Sequence, residues 1–307
     1  MSRCCSASAG HPGRCRPPPG AIRPGQQADR DAAWLLTASP PEGDLEASYL
    51  VVQISDLHLT TSGSLPSGVR PRDNLLGGLR LLEAAAIRPD VYLLTGDLAD
   101  TGDGDCYDDL AGILAEAARR SDASVIVLPG NHDDRDTFRR HLHPGGGPVY
   151  PEGNSGPVNQ THWRDGLRII ALDSTVPGED YGNLDDQSLG YLRSELARTA
   201  PDGTIVALHH PPVPSPIQPM ARIGLRNPER LCEEIAGSDV RIVICGHYHH
   251  AALGMLGAVP VWVSPATAYL ADTTSTQVFQ GRPGAAFSRI DLTGSSTIAT
   301  VIPIPAA

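Results

Sequence analysis

From residue 49 to residue 302 the chain alternates short, almost wholly apolar runs with longer stretches of helical spacing. Tyr49-Leu50-Val51-Val52-Gln53-Ile54 opens the series and reads as a buried strand, because β-branched residues dominate it. Residues 75–87 carry Leu and Ala at helical intervals and run up to Pro89. Residues 91–95 form a strand closed by Gly96, 110–119 an Ala-rich helix, and 125–128 a strand closed by Pro129-Gly130. After an irregular Gly/Pro region at 144–157, strands are expected at 168–172, 205–208 and 240–244, with a helix at 184–196. Beyond Ala251 the pattern shortens to strands at 259–263, 286–290 and 297–302. Strands alternating with helices, then a strand-rich tail, predict a layered α/β protein with mixed sheets. No solenoid period appears. One domain is expected over 47–303, with a short tail at 304–307. Residues 1–46, rich in Pro, Gly, Ser and Arg, read as a disordered extension.

Composition narrows the function. A chain of 307 residues can bury a sizeable core. Its net charge of -11 argues against a nucleic-acid polymer as partner, which would need clustered basic residues. All 24 basic residues are Arg, so a P-loop lysine and a Schiff-base lysine are both excluded. Cys4, Cys5, Cys15, Cys106, Cys232 and Cys245 show no CxxC spacing and read as reduced thiols. No apolar stretch nears the ~20 residues of a membrane span. The Arg-bearing N-terminus meets Pro17-Pro18-Pro19 where a signal peptide needs an apolar run. A cytoplasmic protein is expected.

Five short segments, each after an expected strand, carry the chemistry: Asp56-Leu57-His58, Gly96-Asp97, Gly130-Asn131-His132-Asp133, His209-His210 and Gly246-His247-Tyr248-His249. Asp56 and His58 stand two apart, and extended geometry would turn both to one side. His247 and His249 repeat that spacing. The two oxygens of the Asp97 carboxylate can bridge two ions, and Asn131 offers a neutral amide oxygen. Imidazole, carboxylate and amide without thiolate suit Mn, Fe, Zn or Co. Mg would prefer more oxygen. Taken singly, each segment is more commonly a turn or a surface pair; five in order make a ligand set for two metal ions. Such a pair can bind a phosphate ester and activate a shared water.

At these residues the chain resembles the calcineurin-like metallophosphoesterase superfamily, whose signature is DxH…GD…GNH(D/E)…H…GHxH. The resemblance implies a four-layer α/β/β/α sandwich with mixed sheets. Ile54-Ser55-Asp56-Leu57-His58-Leu59, Thr95-Gly96-Asp97-Leu98-Ala99-Asp100 and Leu208-His209-His210-Pro211-Pro212 are similar to the bacterial class III cyclic-nucleotide phosphodiesterases, above all the actinobacterial cAMP-hydrolysing type. The resemblance implies Asp56, His58, Asp97 and His249 at one metal, and Asp97, Asn131, His209 and His247 at the other. It implies a hydroxide between the ions as nucleophile and cAMP converted to 5′-AMP. It makes His132 a catalytic non-ligand facing the leaving oxygen, with Asp100 as its hydrogen-bonding carboxylate. His58, Asn131 and His249 would also touch substrate. Iron with manganese is the expected pair, with Mn/Mn or Zn as alternatives, and a homodimer is compatible with the family. Glycerophosphodiesterases share similar wording, so a glycerophosphodiester or other phosphodiester is the competing substrate. A non-catalytic metal- or nucleotide-binding scaffold is the remote alternative, since no ligand position is lost.

The remaining polar residues receive plainer readings. His210 and His250 adjoin ligands but match no ligand position, and a role on a ligand or on substrate is the less common reading for such a residue. His11, His141, His143 and His162 are solvent-facing or structural. Asp133, Asp134 and Asp136 are expected to favour the start of a helix through Phe138. Asp103 and Asp105 belong to a polar turn and helix cap, not a calcium loop. Segments 212–226 and 266–273 are expected to wall the substrate pocket.

Overall fold

The computed structural model describes residues 48–142 and 156–305. The N-terminal extension, Cys4, Cys5, Cys15, His11 and His143 lie outside the described residues. In chain order the elements are β1 (Ser48–Ile54), α1 (Pro71–Ala84), β2 (Val91–Thr95), α2 (Gly104–Ser121), β3 (Ser124–Leu128), α3 (Arg135–Leu142), β4 (Gln160–Arg164), β5 (Leu167–Leu172), α4 (Asp186–Leu196) and β6 (Thr204–Leu208). There follow α5 (Gln218–Ala221), α6 (Pro228–Ile235), β7 (Val240–Cys245), β8 (Ala252–Leu256), β9 (Val259–Val263), β10 (Leu270–Ala271), β11 (Gly281–Arg282), β12 (Ala285–Thr293) and β13 (Ser296–Ile304).

All the strands and helices expected from periodicity are present, with shifted ends. Pro71 starts α1, where its missing N–H costs nothing. The helix stops at Ala84, short of Pro89, because Ala86 turns into the left-handed region (φ 53°). α2 is longer than its apolar spacing suggests and ends at Asp122, also left-handed. β4, β8, β10, β11, α5 and α6 were not anticipated. β4 and β8 are edge strands whose residues are largely half-exposed or exposed, so neither carries an apolar run.

Two mixed sheets form the centre. The first has the order β13-β12-β1-β2-β3, with β1, β2 and β3 parallel and β12 and β13 antiparallel. The second has the order β4-β5-β6-β7-β9-β8, parallel from β5 to β9 with antiparallel edges. Alternate residues of a central strand enter different cores, which explains the unbroken apolar runs. Val51, Leu93 and Ile126 face Ile169, Ile205 and Ile244 between the sheets. Val52, Leu94 and Val127 pack outward on Leu75, Leu110 and Phe138 of α1, α2 and α3. Ile170, Val206 and Val243 do the same against Leu189, Leu192 and Leu231 of α4 and α6. The result is helices, sheet, sheet, helices, the α/β/β/α sandwich.

This layering brings the C-terminal ends of β1, β2, β3, β6 and β7 to one edge, where the two sheets are sewn together. The buried Gln53 amide donates to Thr95 Oγ1 (2.9 Å) and to the Cys245 carbonyl (2.8 Å) of the other sheet. Gly246 then passes so close to Ser55 that a Cβ there would overlap the Ser55 hydroxyl and lie 2.9 Å from the Asp56 carboxylate. Gly246→Ala is therefore expected to destabilise the fold by about 1–3 kcal/mol in urea unfolding. Gly190→Ala, in α4 with open space around its Cβ position, should instead stabilise by roughly 0.5–1 kcal/mol. Equal effects from the two changes would contradict this account of the seam.

Candidate metal centre

The loops after these strands do not hold their side chains in extended geometry. Asp56 (φ 53°), His58 (φ 47°), Asp97 (φ 52°), His247 (φ 70°) and His249 (φ 56°) are all left-handed. The two-residue spacing does bring Asp56 and His58 together, but through a coiled backbone that leaves Leu57 between them in the core. Such conformations cost on the order of 1–3 kcal/mol each in residues other than glycine. Backbone bonds hold them: Asp56 N–H donates to the Gly96 carbonyl (3.1 Å) and His58 N–H to that of Asp97 (2.9 Å). Gly96 takes φ 89°, and a Cβ there would meet the Gly130 backbone at 2.8 Å.

The seven expected ligand residues converge. Asp56, His58 and His249 present ligand atoms within 4.8 Å of one another, as do Asp56, Asp97 and His209. His58 Nε2 and His249 Nε2 stand 3.1 Å apart, and His209 Nε2 lies 3.2 Å from His247 Nδ1 and 3.1 Å from Asn131 Oδ1. Asp97 Oδ2 lies between the two clusters, 3.7 Å from His58 Nε2 and 3.3 Å from His209 Nε2. Residues 49–251 of this chain match the calcineurin-like phosphoesterases. The chain belongs to that family. Its members use two metal ions.

Among relatives, a "Probable cyclic nucleotide phosphodiesterase" of Rhodococcus erythropolis is 43% identical over 225 residues, 73% of this chain and 72% of the relative. A cAMP/cGMP dual specificity phosphodiesterase of Mycobacterium tuberculosis is 37% identical over 253 residues, 82% and 76% respectively. A glycerophosphodiester phosphodiesterase of Enterobacter lignolyticus is 29% identical over 231 residues, 72% and 78%. The fold is similar to that of a dimetal phosphatase of Danio rerio (TM-score 0.54, 14% identity, 84% of this chain and 99% of that one).

The donor set of this phosphoesterase fits cations. His58 gives its Nδ1 proton to Asp100 (3.1 Å), His249 to the Tyr269 carbonyl (3.0 Å) and His209 to the Thr95 carbonyl (2.7 Å). Their Nε2 lone pairs are thereby turned toward one another. Two nitrogens about 2.1 Å from one ion and at right angles to it stand about 3 Å apart, the spacing found here. In His247 it is Nδ1, 3.2 Å from His209 Nε2, that turns to the cluster, while Nε2 is buried with no hydrogen-bond partner among the described residues.

Asp100 departs from its expected place. Its carboxylate serves His58, and its backbone carbonyl accepts from His132 Nδ1 at 2.8 Å. The carboxylate is 3.9 Å from that nitrogen. Asp133 also departs from expectation. It is buried at the seam, accepting from the Leu98, Ala99 and Gly130 N–H groups and from Tyr107 Oη. Asp134 is the residue that caps α3, accepting from Thr137 N–H (2.8 Å). Asp103 precedes α2 as its N-cap, but its side chain accepts from Thr101 rather than from a helix N–H. His141 pairs with Asp108 (2.8 Å) and His162 with Gln160 (3.1 Å). His210 is buried on Ser174 Oγ (2.8 Å) with its ring 4.6 Å from that of His247, and His250 is buried on Ser215 Oγ (2.8 Å). Cys106, Cys232 and Cys245 are free thiols.

A cavity of about 460 Å³ opens beside His58 and His249, lined by Leu65, Val69, Asp100, Tyr269, Phe279 and Arg282, among others. Tyr269 falls in the 266–273 segment expected to form the wall. The 212–226 segment does not line this cavity; the Val213 carbonyl accepts from Tyr248 Oη of a ligand loop (3.0 Å), and Arg226 lines a second cavity with Val176, Tyr181 and Asn183. Leu65 and Phe279 lie in loops without motif or periodicity, so nothing in the chain's pattern marks them.

Burial pushes the His209 imidazole down, but the Asp97 carboxylate, with Asp56, outweighs it and lifts the group to about 9. Burial and His58 drive His249 down to about 3. Burial raises Asp56 to about 6 against the pull of His209. For His58, burial is overcome by Asp100 and Asp97, so it too rises. A histidine raised in the folded chain adds stability below its unfolded value of about 6.5, lost as pH rises through the folded value. The chelator-treated protein should therefore lose thermal stability between pH 6.5 and about 9. The metal-loaded protein should lose less, because cations replace those protons. Parallel Tm profiles for the two forms would contradict the ligand role of His209.

Proposed function

We propose that this chain is a dinuclear metallophosphodiesterase hydrolysing 3′,5′-cyclic nucleotides, with cAMP giving 5′-AMP. One observation carries the reading: the Asp97 carboxylate lies between two imidazole clusters, so a single carboxylate can serve two ions. Asp56, His58, Asp97 and His249 would hold one ion, and Asp97, Asn131, His209 and His247 the other. Iron with manganese suits this mixed nitrogen and oxygen set, and the scattered free thiols suit the cytoplasm. Bound cations would neutralise the phosphate and activate water. The names of the Rhodococcus and Mycobacterium relatives support the cyclic-nucleotide substrate.

The chain's own groups supply the rest. Hydrolysis breaks the P–O3′ bond, and the departing oxygen needs a proton. His132 is 40% exposed in its side chain, unlike the buried ligands, and its ring meets that of His58 edge-on at 4.7 Å. With Nδ1 engaged on the Asp100 carbonyl, Nε2 is left to deliver that proton. The Asp100 carboxylate orients His58 and, hydrogen-bonded by it, is held below the usual carboxylate range. His58, Asn131 and His249 line the approach to the phosphate.

His132→Ala should lower turnover on the order of 10²–10⁴-fold while elemental analysis still finds both metals. Full activity in this variant would remove His132 from the mechanism, and no activity in either protein would favour a binding scaffold. A panel of cAMP, cGMP, 2′,3′-cAMP and glycerophosphocholine tests the substrate. The highest kcat/KM is expected on a 3′,5′-cyclic nucleotide; rapid cleavage of glycerophosphocholine with negligible cAMP turnover would favour the Enterobacter-like activity.

A further inference from the structure

The cavity beside the metal centre has a construction that the phosphate chemistry does not require. Its inner wall is aromatic. The Tyr269 ring lies 4.5 Å from that of His249 and 5.9 Å from that of His58, and Phe279 extends the wall at 6.4 Å from Tyr269. The opposite side is the loop bearing buried Leu65 and half-buried Val69, closed on itself by Leu65 N–H donating to the Val69 carbonyl (2.8 Å). The small β10–β11 ladder, with Leu270 opposite Arg282, positions the aromatic side. Among the described residues the Tyr269 hydroxyl has no hydrogen-bond partner.

The charges on the cavity are already matched. Asp100 is engaged by His58, and Arg282 by Asp272. A quaternary ammonium group would find no unpaired carboxylate there and would meet the Arg282 guanidinium at the rim. A flat, neutral aromatic group matches the walls better, since ring stacking is tolerant of hydrogen-bonding pattern. The volume of about 460 Å³ falls within the range of small-ligand sites.

We propose that this cavity is the nucleoside subsite: the base lies between Leu65 and the Phe279–Tyr269 wall, and the Tyr269 hydroxyl donates to the substrate. The inference rests on the cyclic-nucleotide reading of the adjacent centre and assigns the residues that select it. It places specificity in three segments, 60–70, 266–273 and 279–283, that contribute no metal ligand. Because the wall recognises a ring face, cAMP and cGMP should both be accepted.

Phe279→Ala tests this in two ways. With cAMP, kcat/KM should fall on the order of tenfold, carried by KM, while the base-free cyclic phosphate of 1,3-propanediol, followed by ³¹P NMR, loses much less. Independently, saturation transferred from the protein as purified should reach the H2 and H8 protons of adenosine, and should weaken in the variant. Equal losses on the two esters, or no transfer to adenosine, would overturn the subsite. Adenosine binding that depends on Phe279, in a protein that does not hydrolyse cAMP, would keep the subsite and overturn the reaction assigned to the centre.

Discussion

The near-contact of the two sheets at Gly246 and Ser55 is the constraint on which the site depends. The ligand groups come from both sheets: Asp56, His58, Asp97 and Asn131 from one, His209, His247 and His249 from the other. They can share ions only where the strand ends approach without intervening side chains. Gly96, Gly130 and Gly246 remove the Cβ atoms that would keep the loops apart. Gln53 replaces an apolar residue within β1 and ties both sheets through its amide. The Asp56 carboxylate completes the tie by accepting from His247 N–H across the seam (2.9 Å).

The assembly opposes ordinary stability. Asp56, Asp97 and four imidazoles are almost completely buried, and burying charge without a counter-ion is costly. Left-handed backbone at five ligand residues adds strain. Cations would offset the buried carboxylates, and the hydrogen bonds of Gln53 and of the ligand-loop backbone tie the loops to the frame meanwhile. The Thr95 and Tyr269 carbonyls and the Asp100 carboxylate set the tautomers of His209, His249 and His58, so the Nε2 of each faces inward before anything binds. Asp133 performs the same service for the backbone, gathering two N–H groups of the turn that carries Asp97 and that of Gly130 in its own loop.

Much of this was legible in the chain. Unbroken apolar runs such as Val91–Thr95 mark strands covered on both faces, and the segments that follow them carry all seven ligand residues. Edge strands were not legible, because β4 and β8 bury too little to need an apolar pattern. Nor was the role of Asp133: an acidic residue just before a helix suggests a cap, and only the fold shows that Asp134 caps while Asp133 turns inward. The partner of Asp100 was likewise a matter of approach distance, with His58 at 3.1 Å and His132 at 3.9 Å from its carboxylate.

By itself, then, the sequence determined the layered α/β architecture and the identity of the side chains that meet at the strand ends. Both follow from local rules: apolar periodicity reports burial, and ligand chemistry reports residue type. Tertiary structure alone decided which backbone conformation presents those ligands, which nitrogen of each histidine faces inward, and what stands beside them. The cavity wall joins Leu65 to Tyr269 and Phe279, about two hundred residues further on, and of the three only Tyr269 lies in a segment expected at the pocket. Their proximity is a property of chain packing, and packing is the one thing a linear pattern does not encode locally.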